Sequence, residues 1–300
     1  MGRSPREEIL NRLLLALAAS AAISCHAIAA QPAAIGQRSD SGLDAKVKAL
    51  KLKSTNVLVV DQISKRVLYA KNVEQVVPIA SLTKLMTGLI VLEQGLPLEE
   101  RIAITKEDVD RVRRTPSRLR VGGALTRGDL LKLALMASEN RAAAALSRTY
   151  PGGTPAFVAA MNQKALELGM RETRFVDGTG LSNGNVSTAQ DLVWLVDAAY
   201  RHPLIREYTT YRSHSVELQN GRRMKFSNSN RLLTNPRWEI GLSKTGYLDA
   251  AGRCLVLQAK INTTPVIIVL LYSWGQHTRI GDANRIKKWI ESNSSRQPAG

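Results

Sequence analysis

The sequence predicts an α/β protein of the α+β type, in which one antiparallel sheet is completed by both ends of the chain and a helical lobe is inserted between them. Strand patterns are confined to the two flanks, at 55–70 and 241–272, while the stretch from about 95 to 235 carries helix starts and turn residues instead. The segment between the first strands and that stretch, Ser81 through Glu93, is apolar on every side, with Leu82, Leu85, Met86, Leu89, Ile90 and Leu92. A helix of that kind belongs in the centre of a core.

Taken in order, the chain opens with Arg3, Arg6 and Arg12 ahead of the apolar run Leu13 to Ile23, followed by the small residues Ala27-Ile28-Ala29. This reads as an export signal over 1–29, too short in its apolar part to span a bilayer of about twenty residues permanently. Ser24-Cys25 is a poor approximation to a lipoprotein processing site, so removal of Cys25 with the signal is expected. Residues 30–44 read as a flexible leader. Asn56 to Val60 and Val67 to Ala70 form a hairpin around a turn at Gln62 to Arg66. Thr105 with Asp108, Thr126 with Asp129 and Ser187 with Gln190 resemble capped helix starts. Gly178, Gly180 and Gly184 mark a loop between two helices. Strands resume at Gly241 to Tyr247, Cys254 to Ile261 and Val266 to Tyr272, and a last helix runs from about Ile280 to Glu291 before a tail at 294–300.

Composition narrows the chemistry. The formal charge is +17, and removal of the signal leaves it near +16. An anionic partner is favoured, with Arg111, Arg113, Arg114, Arg118 and Arg120 concentrating part of the charge. Aromatics make up only 5% and no helix-turn-helix or RNP-like pattern is present, which argues against nucleic acid. After cleavage Cys254 is the only cysteine, so no internal disulfide is expected. His26, His202, His214 and His277 are scattered without ligand spacing, and neither metal nor cofactor is expected.

Ser81-Leu82-Thr83-Lys84, Ser138-Glu139-Asn140 and Lys244-Thr245-Gly246 occur in that order. Residues three apart on a helix share a face, so Ser81 Oγ and Lys84 Nζ come within hydrogen-bond reach. A lysine of ordinary pKa is protonated and useless as a base; burial near a second cation lowers it, and Lys244 is the expected cation. Ser81 would then be nucleophile and Lys84 base. The backbone N–H groups of Ser81, at a helix start, and of Tyr247, just after Lys-Thr-Gly, are the expected oxyanion donors. Ser138 is the candidate proton relay to the leaving amine, and Asn140 the candidate binder of a substrate amide. Thr245 and Arg279 are candidates for a substrate carboxylate, beside Lys244 and Gly246.

These motifs mark serine β-lactamases and penicillin-binding proteins. Residues 78–87, 134–153, 175–191 and 243–255 further resemble the D-alanyl-D-alanine endopeptidases of the penicillin-binding protein 7 type, and the resemblance covers about 45–292. It implies a fold like that of serine β-lactamases and a peptidase domain over 45–293, with the helical lobe at about 95–235 inserted in the sheet lobe. It also implies residence in the periplasm, peptidoglycan as substrate and β-lactams as covalent inhibitors, with at most peripheral membrane association. The Glu-x-x-Leu-Asn context of a class A β-lactamase is missing. A D-alanyl-D-alanine carboxypeptidase of the larger type usually adds a C-terminal β-domain, whereas this chain ends about 28 residues after its last strand. Endopeptidase activity is therefore expected ahead of carboxypeptidase activity, and a noncatalytic cell-wall binding protein is the alternative that the Ser81/Lys84 pair argues against.

Overall fold

The computed structural model describes residues 50–218, 221 and 223–294; the expected export signal, the expected leader and residues 295–300 lie outside the described residues. Strands β1 (Asn56–Asp61) and β2 (Val67–Lys71) form the expected hairpin, and after β3 (Val77–Pro78) a 3-10 turn at Ala80–Leu82 leads into helix α1 (Thr83–Glu93). Next come β4 (Arg101–Ala103), β5 (Ala124–Thr126), α2 (Arg127–Met136), α3 (Asn140–Arg148) and α4 (Gly153–Glu167). Then follow β6 (Val186–Ser187), α5 (Ala189–Arg201), α6 (Pro203–Thr210), β7 (Ser213–Glu217) and β8 (Arg223–Ser227). The long strands β9 (Glu239–Leu248), β10 (Gly252–Ile261) and β11 (Thr264–Ser273) precede the last helix, α7 (Thr278–Ser294).

The main sheet has the order β2-β1-β11-β10-β9, antiparallel throughout, so the opening hairpin and the closing strands make one surface as expected. Alternation along the strands sends side chains to opposite faces. Leu58, Val60, Cys254, Val256, Ile267, Val269 and Leu271 join one core with α1 and α5. Val57, Val59, Leu255, Leu257, Ile268 and Leu270 join the other, with Ala283, Ile286 and Ile290 of α7. Every residue of α1 from Thr83 to Val91 is buried. Strand β9 is an edge strand of this sheet, and it carries Lys-Thr-Gly past the turn at Ala80–Leu82 that precedes α1.

Two expected helix starts are corrected. Thr105 and Asp108 do form a capping box, but only the 3-10 turn Lys106–Asp108 follows it, because Val109 turns extended; Asp108 also accepts from Arg148 Nε at 2.9 Å. Ser187 belongs to β6; the cap of α5 is Thr188, whose hydroxyl accepts from Asp191 N at 3.0 Å. Thr126 caps α2 as expected, accepting from Asp129 N at 3.0 Å. The hairpin of β7 and β8 was not expected, since its residues are mostly polar and only Val216 and Phe226 are buried.

Candidate active site

The site is assembled at the turn before α1. Ala80 has φ +49°, which tightens the chain so that Ser81 sits at the mouth of the helix while Thr83 Oγ1 donates to Ala80 O at 2.8 Å. Two glycines let other backbone approach this turn. Gly180 has φ +77°, and a Cβ there would lie 2.1 Å from Ala80 O; a Cβ on Gly246 would lie 3.0 Å from Ile79 O and 3.2 Å from Ser81 N. Only glycine allows such contact. Ser138 also has a positive φ, +59°, just before Glu139 caps α3 by accepting from Ala142 N at 2.8 Å. That conformation costs roughly 1–3 kcal/mol and is held by its surroundings.

Lys84 Nζ lies 2.9 Å from Ser81 Oγ and donates to Asn140 Oδ1 at 2.8 Å and to the Thr179 carbonyl at 2.5 Å. Asn140 Nδ2 donates to Thr115 Oγ1 at 3.0 Å. Thr179 is itself fixed by Asp177, which accepts from the backbone N–H groups of Thr179, Gly180 and Ser182. From β9, Lys244 Nζ donates to Ser138 Oγ at 2.8 Å. The three motifs therefore meet around two buried lysines.

Burial lowers the Lys84 pKa to about 8, against the opposing pull of Asp177 and Glu139. An amine in that range is neutral often enough to accept a proton near neutrality. Lys244 is also driven well below its ordinary value, first by burial and then by the charges of Lys84 and Arg279. Of the two expected causes, burial acts on Lys84 as expected, while the repulsion between the two lysines is expressed at Lys244. A hydroxyl beside a buried lysine of lowered pKa, with a second lysine bonded to Ser138, is an arrangement that can do acyl transfer.

Thr245 Oγ1 donates to Ser229 Oγ at 2.7 Å, and Arg279 Nη1 donates to the carbonyls of Gly246 at 2.8 Å and Cys254 at 3.1 Å. Arg279 is thus a clamp on the sheet edge, with burial lowering its pKa, rather than a solvated arginine. It lines a cavity of about 200 Å³ together with Ser229, Arg231 and Arg253. That cationic lining suits a carboxylate. Tyr247 is half exposed at the end of β9, with Arg253 stacked 4.5 Å over its ring. Cys254 is buried opposite Gly246, and burial pushes its thiol up to about 11.

Of the candidate site residues, Ser81, Lys84, Ser138, Asn140, Lys244 and Gly246 meet around this turn, Thr245 and Tyr247 lie beside them on β9, and Arg279 reaches the Gly246 carbonyl from the start of α7. Sequence reasoning missed Thr115, Asp177, Thr179 and Ser229. The glycines around Thr179 marked its loop, but nothing local says that one carbonyl of that loop reaches Lys84.

A family model described as D-alanyl-D-alanine carboxypeptidase matches residues 44–274. A D-alanyl-D-alanine endopeptidase of Pseudomonas aeruginosa is 47% identical over 242 residues, covering 80% of this chain and 78% of that protein. One of Escherichia coli, of the same name, is 43% identical over 240 residues, covering 80% and 77%. Among solved structures, the Streptomyces K15 DD-transpeptidase superposes with a TM-score of 0.74 at 26% identity, over 80% of this chain and 97% of that one.

Proposed function

The chain belongs to the D-alanyl-D-alanine carboxypeptidase family of serine peptidases, and from that premise we propose that it is a D-alanyl-D-alanine endopeptidase cleaving the peptide cross-links of peptidoglycan through an acyl-enzyme on Ser81. The observation that carries the catalytic part is the buried Lys84 Nζ, 2.9 Å from Ser81 Oγ. Endopeptidase activity is favoured over carboxypeptidase activity because the relatives at 47% and 43% identity both carry the endopeptidase name.

In the proposed reaction, neutral Lys84 takes the Ser81 proton as Oγ attacks the carbonyl of the D-Ala residue. The oxyanion is held by the N–H groups of Ser81 and Tyr247, donors that together supply several kcal/mol of transition-state stabilisation. Ser138, bonded to Lys244, relays to the leaving amine the proton that Lys84 took from Ser81, so the C–N bond breaks and Lys84 is neutral again. Asn140 receives the substrate amide, and Thr245 with Arg279 receives the carboxylate beside the scissile bond, next to Lys244 and Gly246. Water then attacks the ester, giving up its proton to Lys84 while Ser81 Oγ regains one. A β-lactam enters the same path and stops at the ester.

The place of action is the periplasm, reached through the export signal at 1–29 and held near the sacculus by charge. Among the described residues no helix is long and apolar enough to cross a membrane. Purified cross-linked dimers and monomeric pentapeptides offered in parallel test the reading. Dimers should be cleaved to monomers, and rapid loss of terminal D-Ala from pentapeptide with dimers left intact would make the enzyme a carboxypeptidase.

A further inference from the structure

A second, basic cavity adjoins the site on the Asn140 side. The Ser117 hydroxyl donates to Glu139 Oε1, the residue between Ser138 and Asn140. Beyond it, the segment 117–120 faces the β7–β8 hairpin across a cavity of about 510 Å³ lined by Arg118, Arg120, Arg223, Lys225, Leu218 and Met224. Arg118 stacks 4.0 Å over the Phe226 ring, so it joins the two walls. Arg223 meets Glu217 only at 3.5 Å and in the open. Among the described residues no carboxylate lies within 4.0 Å of Arg118, Arg120 or Lys225. Three cations without a described countercharge, with Arg223 held only by an exposed glutamate, create a local positive potential that attracts an anion.

We propose that this cavity is a carboxylate subsite for an acidic peptide, holding a second acidic group of the cross-linked substrate beyond the one assigned to Thr245 and Arg279. Guanidinium forks match planar carboxylates, and Leu218 and Met224 offer apolar contact to the intervening chain. The assignment rests on the endopeptidase reading for its ligand. The test is the double variant Arg120→Glu/Lys225→Glu, two exposed positions whose change leaves the core alone. Acylation by benzylpenicillin, which has no extended acidic chain, should be unchanged. The KM for cross-linked dimer should rise about tenfold with kcat held, as expected for reversing two rim charges. Dimer binding measured calorimetrically on a Ser81→Ala background should weaken equally. Unchanged dimer affinity on that background would overturn the subsite whether or not dimers are cleaved, whereas failure of wild type to cleave dimers strikes the endopeptidase reading. Displacement of the dimer by micromolar inorganic phosphate would assign the cavity to phosphate and also overturn it.

A separate chain of hydrogen bonds carries a second inference. Asp110 Oδ1 accepts from Val112 N at 3.0 Å and Arg113 N at 2.9 Å, and Oδ2 accepts from Thr115 N at 3.1 Å and Thr115 Oγ1 at 2.9 Å. An ionised carboxylate only accepts. The Thr115 proton is therefore committed to Asp110, its oxygen must accept from Asn140 Nδ2, and Asn140 must turn its Oδ1 to Lys84. Thr179 O, also an acceptor only, takes a second N–H of Lys84. A neutral amine has two hydrogens and one lone pair, so with both hydrogens placed the lone pair is left for the Ser81 O–H.

The geometry points to Asp110 as a positioning residue that fixes, through Thr115 and Asn140, the direction in which Lys84 works as a base. Asp110→Asn lets the chain reverse and lets Asn140 offer N–H to the lone pair. The acylation rate at its high-pH plateau should fall about tenfold or more, a general-base loss, and the midpoint of its pH profile should move to lower pH. Thr115→Val should do the same, and Thr115→Ser should restore wild-type behaviour. A fall in rate with an unmoved pH midpoint, or equal rates for Thr115→Ser and Thr115→Val, would reduce Asp110 to a loop fastener and overturn the inference.

Discussion

The two faces of the main sheet obey one alternation and bury different things. Against α7, Val59, Leu257, Ile268 and Leu270 meet Trp238, Ile286 and Ile290 in an apolar layer. The carboxylate buried beside it is answered: Asp282 accepts from Lys53 N, Ser54 N and Ser54 Oγ. On the other face the apolar layer around α1 runs to the β9 edge and there gives way to Lys84 and Lys244, both essentially without exposure. Burying a cation is unfavourable unless it is paired or neutralised. Past its first turn, α7 meets the sheet in an apolar layer, while the α1 face accepts an unfavourable burial whose product is a lysine able to give up its proton near neutral pH. The proposed function uses the face where stability was forgone.

That contrast can be broken by substitution. Ser81→Ala should abolish the covalent penicillin adduct altogether, read as a single mass increment in wild type and none in the variant. Lys84→Arg keeps the charge but cannot supply a base, since guanidinium stays protonated. Acylation should fall by about 10²–10⁴-fold, the usual contribution of a positioned general base, while stopped-flow binding of the β-lactam persists. On the opposite face, Leu257→Ala should cost about 2–5 kcal/mol in chemical denaturation, as for other buried leucines, and the folded fraction should still acylate at the wild-type rate. A large catalytic loss in that variant would mean that the two faces are not separable.

Much of this was legible because it is local or periodic. The pairing of the chain's two ends follows from strand patterns at 56–70 and 241–272, and Ser81 with Lys84 follows from spacing on a helix. The β7–β8 hairpin was not, because Ser213–Glu217 and Arg223–Ser227 bury only one side chain each and leave almost no alternation to read. The cap at Thr105 was read as a helix because its capping box is real; what ends it is Val109, whose backbone turns extended one residue after the box. For Lys84 the expected cause was burial beside a second cation, and the burial is what acts on it first. Charge is visible in a sequence, whereas the degree of burial is a property of the finished fold.

The central claim is that burial makes Lys84 the base for Ser81, and the pH dependence of acylation tests it most directly. Lys84 is active when neutral, and its pKa lies at about 8, so the rate must rise with pH through that value and level off above it. Measured with a β-lactam stable over about pH 6 to 10, the acylation rate constant should climb about tenfold per pH unit on the acid side, the behaviour of a single essential base, and reach a plateau beyond the midpoint. A rate that stays flat across that range, or falls as pH passes through about 8, would show that the protonated lysine is the working form and would contradict the account.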